Sequence, residues 1–202
     1  MNARAELLQA TAVFDHTASI HFRLASANLH GTGVQLTGGE GDAVRPNEFT
    51  GVLSVTLSGF AADIDIVSMN GVFYAKLPFA TKYEIAKPSD YGFGDPSTML
   101  DPNLGLASLM SAAKNPTSEG DDRLSGEELE EVGAAIPGHL VANLLTSADP
   151  SEDVQATVGI AVTSHQVRRI VLTGPFFAKG QDSTYTLLLD HYGERVTVTP
   201  PA

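Results

Sequence analysis

The dipeptide Asn70-Gly71 constrains this chain more than any other feature. Both residue types accept the left-handed backbone of a type I′ turn, so alternating segments on either side close into a two-residue hairpin. With Asn70 and Gly71 as the loop, Met69 faces Val72, Ser68 faces Phe73, Ile66 faces Ala75 and Ile64 faces Leu77. One face then gathers Ile64, Ile66, Phe73, Ala75 and Leu77. The opposite face pairs Asp65 with Lys76 and Val67 with Tyr74. A register that separates an apolar face from a face with an ion pair is self-consistent, because a one-residue slip would exchange the two.

The same period of two recurs along the chain. Ile20, Phe22 and Leu24 alternate with His21, Arg23 and Ala25, and Leu53, Val55 and Leu57 alternate with Ser54 and Thr56. Residues 34–44 form a weaker strand, loosened by Gly38, Gly39 and Gly41. Near the end, Val154 to Val162, Val167 to Thr173 and Tyr185 to Leu189 are strands, the second entered from a turn at Ser164-His165-Gln166. Helical periodicity appears at residues 3–14 and in the middle of the chain. Asp95-Pro96 and Asp101-Pro102 are cap-plus-first-turn signals, the latter followed by the stripe Leu106, Leu109, Met110 and Ala113. Pro137-Gly138 opens a further helix with Leu140, Val141, Leu144 and Leu145 on one side. The acidic stretch Glu119 to Glu131 reads as a solvated hairpin edge or turn. Strands, then helices, then strands, with few βαβ alternations, predict an α+β fold with an antiparallel sheet covered by helices on one face, as a single domain over 1–202.

Composition excludes several function classes. The net charge is −12, from 24 acidic and 12 basic residues, so nucleic acid is not expected as a partner. With no Cys, disulfides, thiolate metal sites and Cys nucleophiles are out. No apolar run is long enough to span a membrane. The six His residues lack the spacing of a helical zinc site, and neither a nucleophile elbow nor a phosphate loop is present. Asp63 and Asp65 share a strand face, where Lys76 gives them a structural explanation. No cofactor, no metal and no catalytic group is therefore expected. The chain also lacks Trp, so its core rests on aliphatic residues with nine Phe and five Tyr. Such a set packs solidly or lines a smooth cavity.

Several segments in order carry a family resemblance. Gly71-Val-Phe-Tyr-Ala-Lys-Leu77, Tyr91-Gly-Phe-Gly-Asp-Pro-Ser-Thr-Met-Leu-Asp-Pro-Asn-Leu-Gly-Leu-Ala-Ser-Leu-Met110 and Leu187-Leu-Leu-Asp-His-Tyr-Gly-Glu-Arg-Val196 resemble the mycobacterial LppX/LprA/LprF/LprG lipoproteins, from about residue 5 to 200. The resemblance implies a strongly bent antiparallel sheet, a half-barrel, with helices on its concave face enclosing a hydrophobic cavity. It implies binding and carriage of multi-acylated glycolipids, of the phosphatidylinositol mannoside or lipoglycan type, across the cell envelope. It implies export and membrane attachment through an N-terminal lipid anchor on a Cys that this chain does not contain. Under it, Leu53, Val55, Leu57, Ile64, Ile66, Phe73, Ala75 and Leu77 become the cavity wall. Leu106, Leu109, Met110, Leu140 and Leu144 line it from the helices, with Asn103, Ser108 and Lys114 as candidate headgroup contacts. The alternatives are an envelope interaction module for a transporter or sensor protein, and a hydrolase whose site the sequence hides.

Overall fold

A computed structural model of the protein describes residues 2–201. Helix α1 (Ala3–Asp15) precedes a meander of β1 (Ser19–Ala27), β2 (Gln35–Val44), β3 (Glu48–Leu57), β4 (Phe60–Met69), β5 (Val72–Lys76) and the short β6 (Glu84–Ile85). Two 3₁₀ turns, Pro88–Tyr91 and Pro96–Leu100, and helix α2 (Leu106–Ser111) lead to a second meander. That meander is β7 (Lys114–Leu124), β8 (Glu127–Ile136), β9 (Val154–Ala161), β10 (Val167–Ala178) and β11 (Gln181–Asp190), with α3 (Gly138–Leu144) between β8 and β9.

These strands form one antiparallel sheet of eleven, ordered β6-β5-β4-β3-β2-β1-β11-β10-β9-β8-β7. At about 4.8 Å per strand spacing, a flat sheet of this kind would be roughly 50 Å wide. Yet buried residues of β4 and β5 (Ile64, Ile66, Phe73) share one continuous core with those of β8 and β9 (Val132, Ile136, Val158). The sheet meets this by bending around its helices without closing. Helix α1 touches β7, β9, β10 and α2, the Pro96–Leu100 turn touches β2, β3 and β4, and α2 touches that turn and α3. Helix α1 starts at Asn2, whose side chain accepts from the Ala5 amide at 2.8 Å, and buries Leu7, Ala10 and Phe14.

The Asn70-Gly71 hairpin forms in the expected register. Both residues have positive φ (53° and 73°), Met69 pairs with Val72, Ile66 with Ala75, and Asp65 with Lys76, whose Nζ is 2.5 Å from Oδ2. The ladder ends at Lys76, however, so Leu77 has no partner across from Ile64 and is 42 % exposed. The chain leaves the sheet at Pro78, which has no N–H to donate to a ladder.

The glycines of β2 serve packing more than looseness. A bulge falls at Leu36/Gly38, but Gly41 pairs directly with Gly51. A Cβ on Gly41 would lie 2.7 Å from the Phe49 ring, and one on Gly51 would lie 2.4 Å from the Glu40 carbonyl. The bare backbone lets Phe49, fully buried, lie across both strands with its ring 5.7 Å from that of Phe22.

Two readings of the middle of the chain are corrected. Helix α2 begins after Gly105, not at Asp101, because the Asp101 side chain accepts from the amides of Asn103 and Leu104 and makes a turn there. Residues 114–136, in a middle expected to be helical and irregular, are two long strands, while the acidic stretch Glu119 to Glu131 is, as expected, a hairpin with an exposed strand at the sheet edge. Leu129, Val132, Ala134 and Ile136 of β8 are buried, and the signal is masked by the intervening Glu, Gly and Ala. The acids lie mainly on the outer face, where Arg169 bonds both Asp122 and the buried Glu131, at 2.5 and 2.7 Å. The Arg169 hydrogen bond holds the Asp122 carboxyl below the usual carboxylate range.

Phe49→Ala is expected to cost about 3–5 kcal/mol, since it leaves a void over the glycine pair that the ladder prevents from collapsing. Urea denaturation of the two proteins measures the difference.

Candidate functional site

Between the concave face and the helical layer lies a cavity of about 110 Å³. Its sheet wall is central: Phe22 and Leu24 of β1, Leu36 of β2 and Leu53 of β3. Ile170 and Leu172 of β10, with Tyr185 and Leu187 of β11, complete that wall. The wall is made by pairing across the whole chain, because Leu24 faces Leu187 and Leu187 faces Ile170. The opposite side comes from Leu106 of α2, Met99, and Val141, Leu144 and Leu145 at α3. Phe93, Gly94 and Pro96, in the segment of residues 91–96 that crosses between the two 3₁₀ turns, fill the remaining edge.

The lining offers almost no polar atom. The Tyr185 hydroxyl donates to the Leu36 carbonyl at 2.7 Å, and burial pushes its phenol well above the ordinary range, so it stays neutral and satisfied. Its ring packs edge-on against Phe176 at 5.5 Å. A cavity of this character orients nothing by hydrogen bonding and holds no acid, base or nucleophile. Its chemistry is the sequestration of hydrocarbon.

The crossing segment is tied to both sides. Phe73 of β5, Tyr91 and Phe93 form a ring cluster with centroids 6.1–6.3 Å apart. Phe93 forms an isolated antiparallel bridge with Leu145, and the Gly94 amide donates to the Leu144 carbonyl at 3.0 Å. Only glycine allows that approach: a Cβ at position 94 would stand 1.8 Å from the Asn143 carbonyl oxygen.

Among the residues expected on the wall, Leu53, Leu106 and Leu144 line the cavity. Val55, Ile64, Ile66, Phe73, Ala75, Leu109 and Met110 are buried in the surrounding core and do not line it. Leu57 and Leu140 sit half-buried at the core margin, and Leu77 is exposed. The polar candidates lie elsewhere: Lys114 Nζ pairs with Asp153 at 2.8 Å, the Ser108 hydroxyl donates to the Gly105 carbonyl, and Asn103 belongs to the Asp101 turn. The centre of the wall was missed because β1 and β11 are far apart in sequence. The period-two apolar runs Phe22-Leu24 and Tyr185-Leu187 were visible, but not that they would be neighbours. Of the histidines, His21 bonds Asp42 and His165 bonds the buried Glu6, and neither is among the lining residues.

Comparison with known proteins gives a consistent picture. The model of the LppX_LprAFG lipoprotein family matches residues 2–198. The chain is 28 % identical to the "Lipoarabinomannan carrier protein LprG" of Mycobacterium tuberculosis, over 96 % of this chain and 79 % of the relative. It is also 28 % identical to "Lipoprotein LprA" of the same species, over 96 % of this chain and 80 % of that one. The crystal structure of LprF from Mycobacterium bovis superposes with a TM-score of 0.78 at 19 % identity, covering 99 % of this chain and 97 % of that one. LppX from Mycobacterium tuberculosis superposes with a TM-score of 0.70 at 21 % identity, covering 98 % of each chain. These two share the bent-sheet fold.

Gly94→Ala is expected to break the Phe93–Leu145 bridge and to lower stability by about 2–3 kcal/mol, far more than a surface glycine replacement. Thermal unfolding, with hydrogen exchange at the Gly94 and Leu145 amides, measures both effects.

Proposed function

The chain belongs to the LppX_LprAFG lipoprotein family, and from that premise we propose that it is a non-enzymatic carrier of multi-acylated glycolipids in the cell envelope. The lipid class is that of phosphatidylinositol mannosides or lipoglycans, with the name of the LprG relative as support. Residues 1–202 act as one lipid-binding unit, exported and held on the periplasmic side of the membrane by an N-terminal lipid anchor outside this chain. Among the described residues no helix is long and apolar enough to cross a membrane.

The observation that carries this reading is the hydrocarbon-lined cavity between the bent sheet and the helices. A sixteen-carbon chain resists exposure to water by about 13 kcal/mol, at about 0.8 kcal/mol per methylene. Unassisted passage through an aqueous layer is negligible, and an apolar enclosure removes that barrier without chemistry or ATP.

Volume adds a requirement. A 150 Å³ apolar cavity accepts benzene, so about 110 Å³ admits only a few methylenes. Several acyl chains need more than an ordinary ligand pocket, itself about 300–1,000 Å³. Loading must therefore lift part of the wall. The sheet is fixed by its ladders, whereas α2 and α3 are short helices of six and seven residues. Elements of that length owe their stability to packing. They swing outward with the crossing segment, and the Phe93–Leu145 bridge is the latch.

Native mass spectrometry after incubation with a multi-acylated phosphatidylinositol mannoside is expected to give a one-to-one complex. A protein that takes up no acyl lipid contradicts the reading. Leu53→Trp places an indole in the cavity and is expected to reduce uptake at least tenfold while unfolding stays cooperative; unchanged loading would place the acyl path elsewhere. Phe93→Cys with Leu145→Cys tests the latch in a chain that has no other Cys. Antiparallel bridge partners lie within disulfide reach. The oxidised protein should refuse lipid and the reduced one should accept it, whereas uptake by both forms rules out opening at this point.

A further inference from the structure

Bare aromatic side chains gather at one end of the sheet. The β3–β4 turn and the β5–β6 loop leave the sheet toward the same end: Leu57 pairs with Phe60 where β4 begins, and Lys76, the last paired residue of β5, faces Asp65 five residues further along β4. Phe60 is 78 % exposed and Phe79 is 105 % exposed. Phe79 also holds φ at 67° in a turn closed by the Ala80 amide on the Leu77 carbonyl, a conformation that a bulky residue adopts rarely.

Charge sets these loops apart. Residues 55–62 carry no charged side chain, and residues 77–83 carry one, Lys82, in a chain with 24 acidic and 12 basic residues. Of the acids nearest these loops, Asp63 accepts from Ser54 and Asp65 pairs with Lys76, while Glu84 follows Lys82 by two residues and is exposed. The acidic β7–β8 hairpin occupies the opposite edge of the sheet. A negatively charged surface repels that edge and meets least resistance at the aromatic tip. Bare rings beside a long cationic side chain suit the boundary between headgroups and acyl chains.

The inner face of β3 and β4 runs from the cavity wall to the tip, with the buried Val55 between them. Successive pairs on the inner face of β3 and β4 are Leu53–Ile64, Val55–Ala62 and Leu57–Phe60. Leu53 lines the cavity, and the row opens to solvent at Phe60.

We propose that the tip formed by Phe60, Phe79 and Lys82 docks the protein on a lipid bilayer. The inference rests on the carrier reading for its purpose, but its test does not need lipid loading. A bilayer fits better than a second copy of the chain, because the rings stand on projecting loops and two copies of net charge −12 repel each other.

The experiment is flotation of the 202-residue chain with vesicles of phosphatidylcholine and phosphatidylglycerol at four to one. The protein should float with the vesicles, and Phe60→Ser with Phe79→Ser should lower its partition about 100-fold, roughly tenfold per ring. Flotation unaffected by the double change overturns the proposal. So does a wild-type protein that stays with the buffer, or light scattering that finds the rings holding a dimer. Loading of detergent-presented acyl lipid, read by native mass spectrometry, separates the two claims. A protein that loads but does not float overturns the tip alone, whereas one that floats but never loads supports the tip and sinks the carrier reading.

Discussion

The ladder between strands β1 and β11 joins the two meanders into one sheet. Closing a loop from Leu24 to Leu187 costs about 4–5 kcal/mol of chain entropy. The junction offsets this with seven residue pairs, among them the buried Phe22–Leu189 and the partly buried Leu24–Leu187. Without it, β1–β6 and β7–β11 are two narrower sheets and the cavity has no wall, since Phe22, Leu24, Tyr185 and Leu187 lie on these two strands.

Bending follows from the same arrangement. A wide sheet with an apolar inner face has to cover that face, and one small set of helices must reach both wings. Helix α1 serves the β7–β10 side and the Pro96–Leu100 turn serves the β2–β4 side, with α2 and α3 between them. The cavity is what the short helices leave uncovered at the middle of the bend. An aliphatic lining without an unpaired polar atom makes that space suited to hydrocarbon and to little else.

The edges of the sheet show how the open design avoids self-association. Strand β6 has two residues, and the eleven-residue β7 carries Pro116, two register shifts against β8 and a run of charged side chains. These features blunt an edge that would otherwise recruit another strand. Negative charge thus collects at one edge, while the loops of the other wing carry exposed aromatic rings, and the molecule is polarised along its sheet.

Local chemistry was legible in the residues themselves. The Asn70-Gly71 turn and its register, the helix after Asn2, the caps at Asp95 and Pro137 and most strands of both meanders follow from short-range periodicity and turn preference. The resemblance of three segments to one lipoprotein family added the bend and the expectation of a cavity. What the sequence by itself determined is therefore which residues turn inward on each strand, because that depends on neighbours two positions away. Only the tertiary structure decided which inward residues enclose space and which interlock. Val55, one row away, and Ile64, the direct partner of Leu53, are buried in the core, while Leu53 itself lines the cavity. The difference depends on pairing across some 160 residues and on where the helices come down, and neither leaves a local trace in the chain.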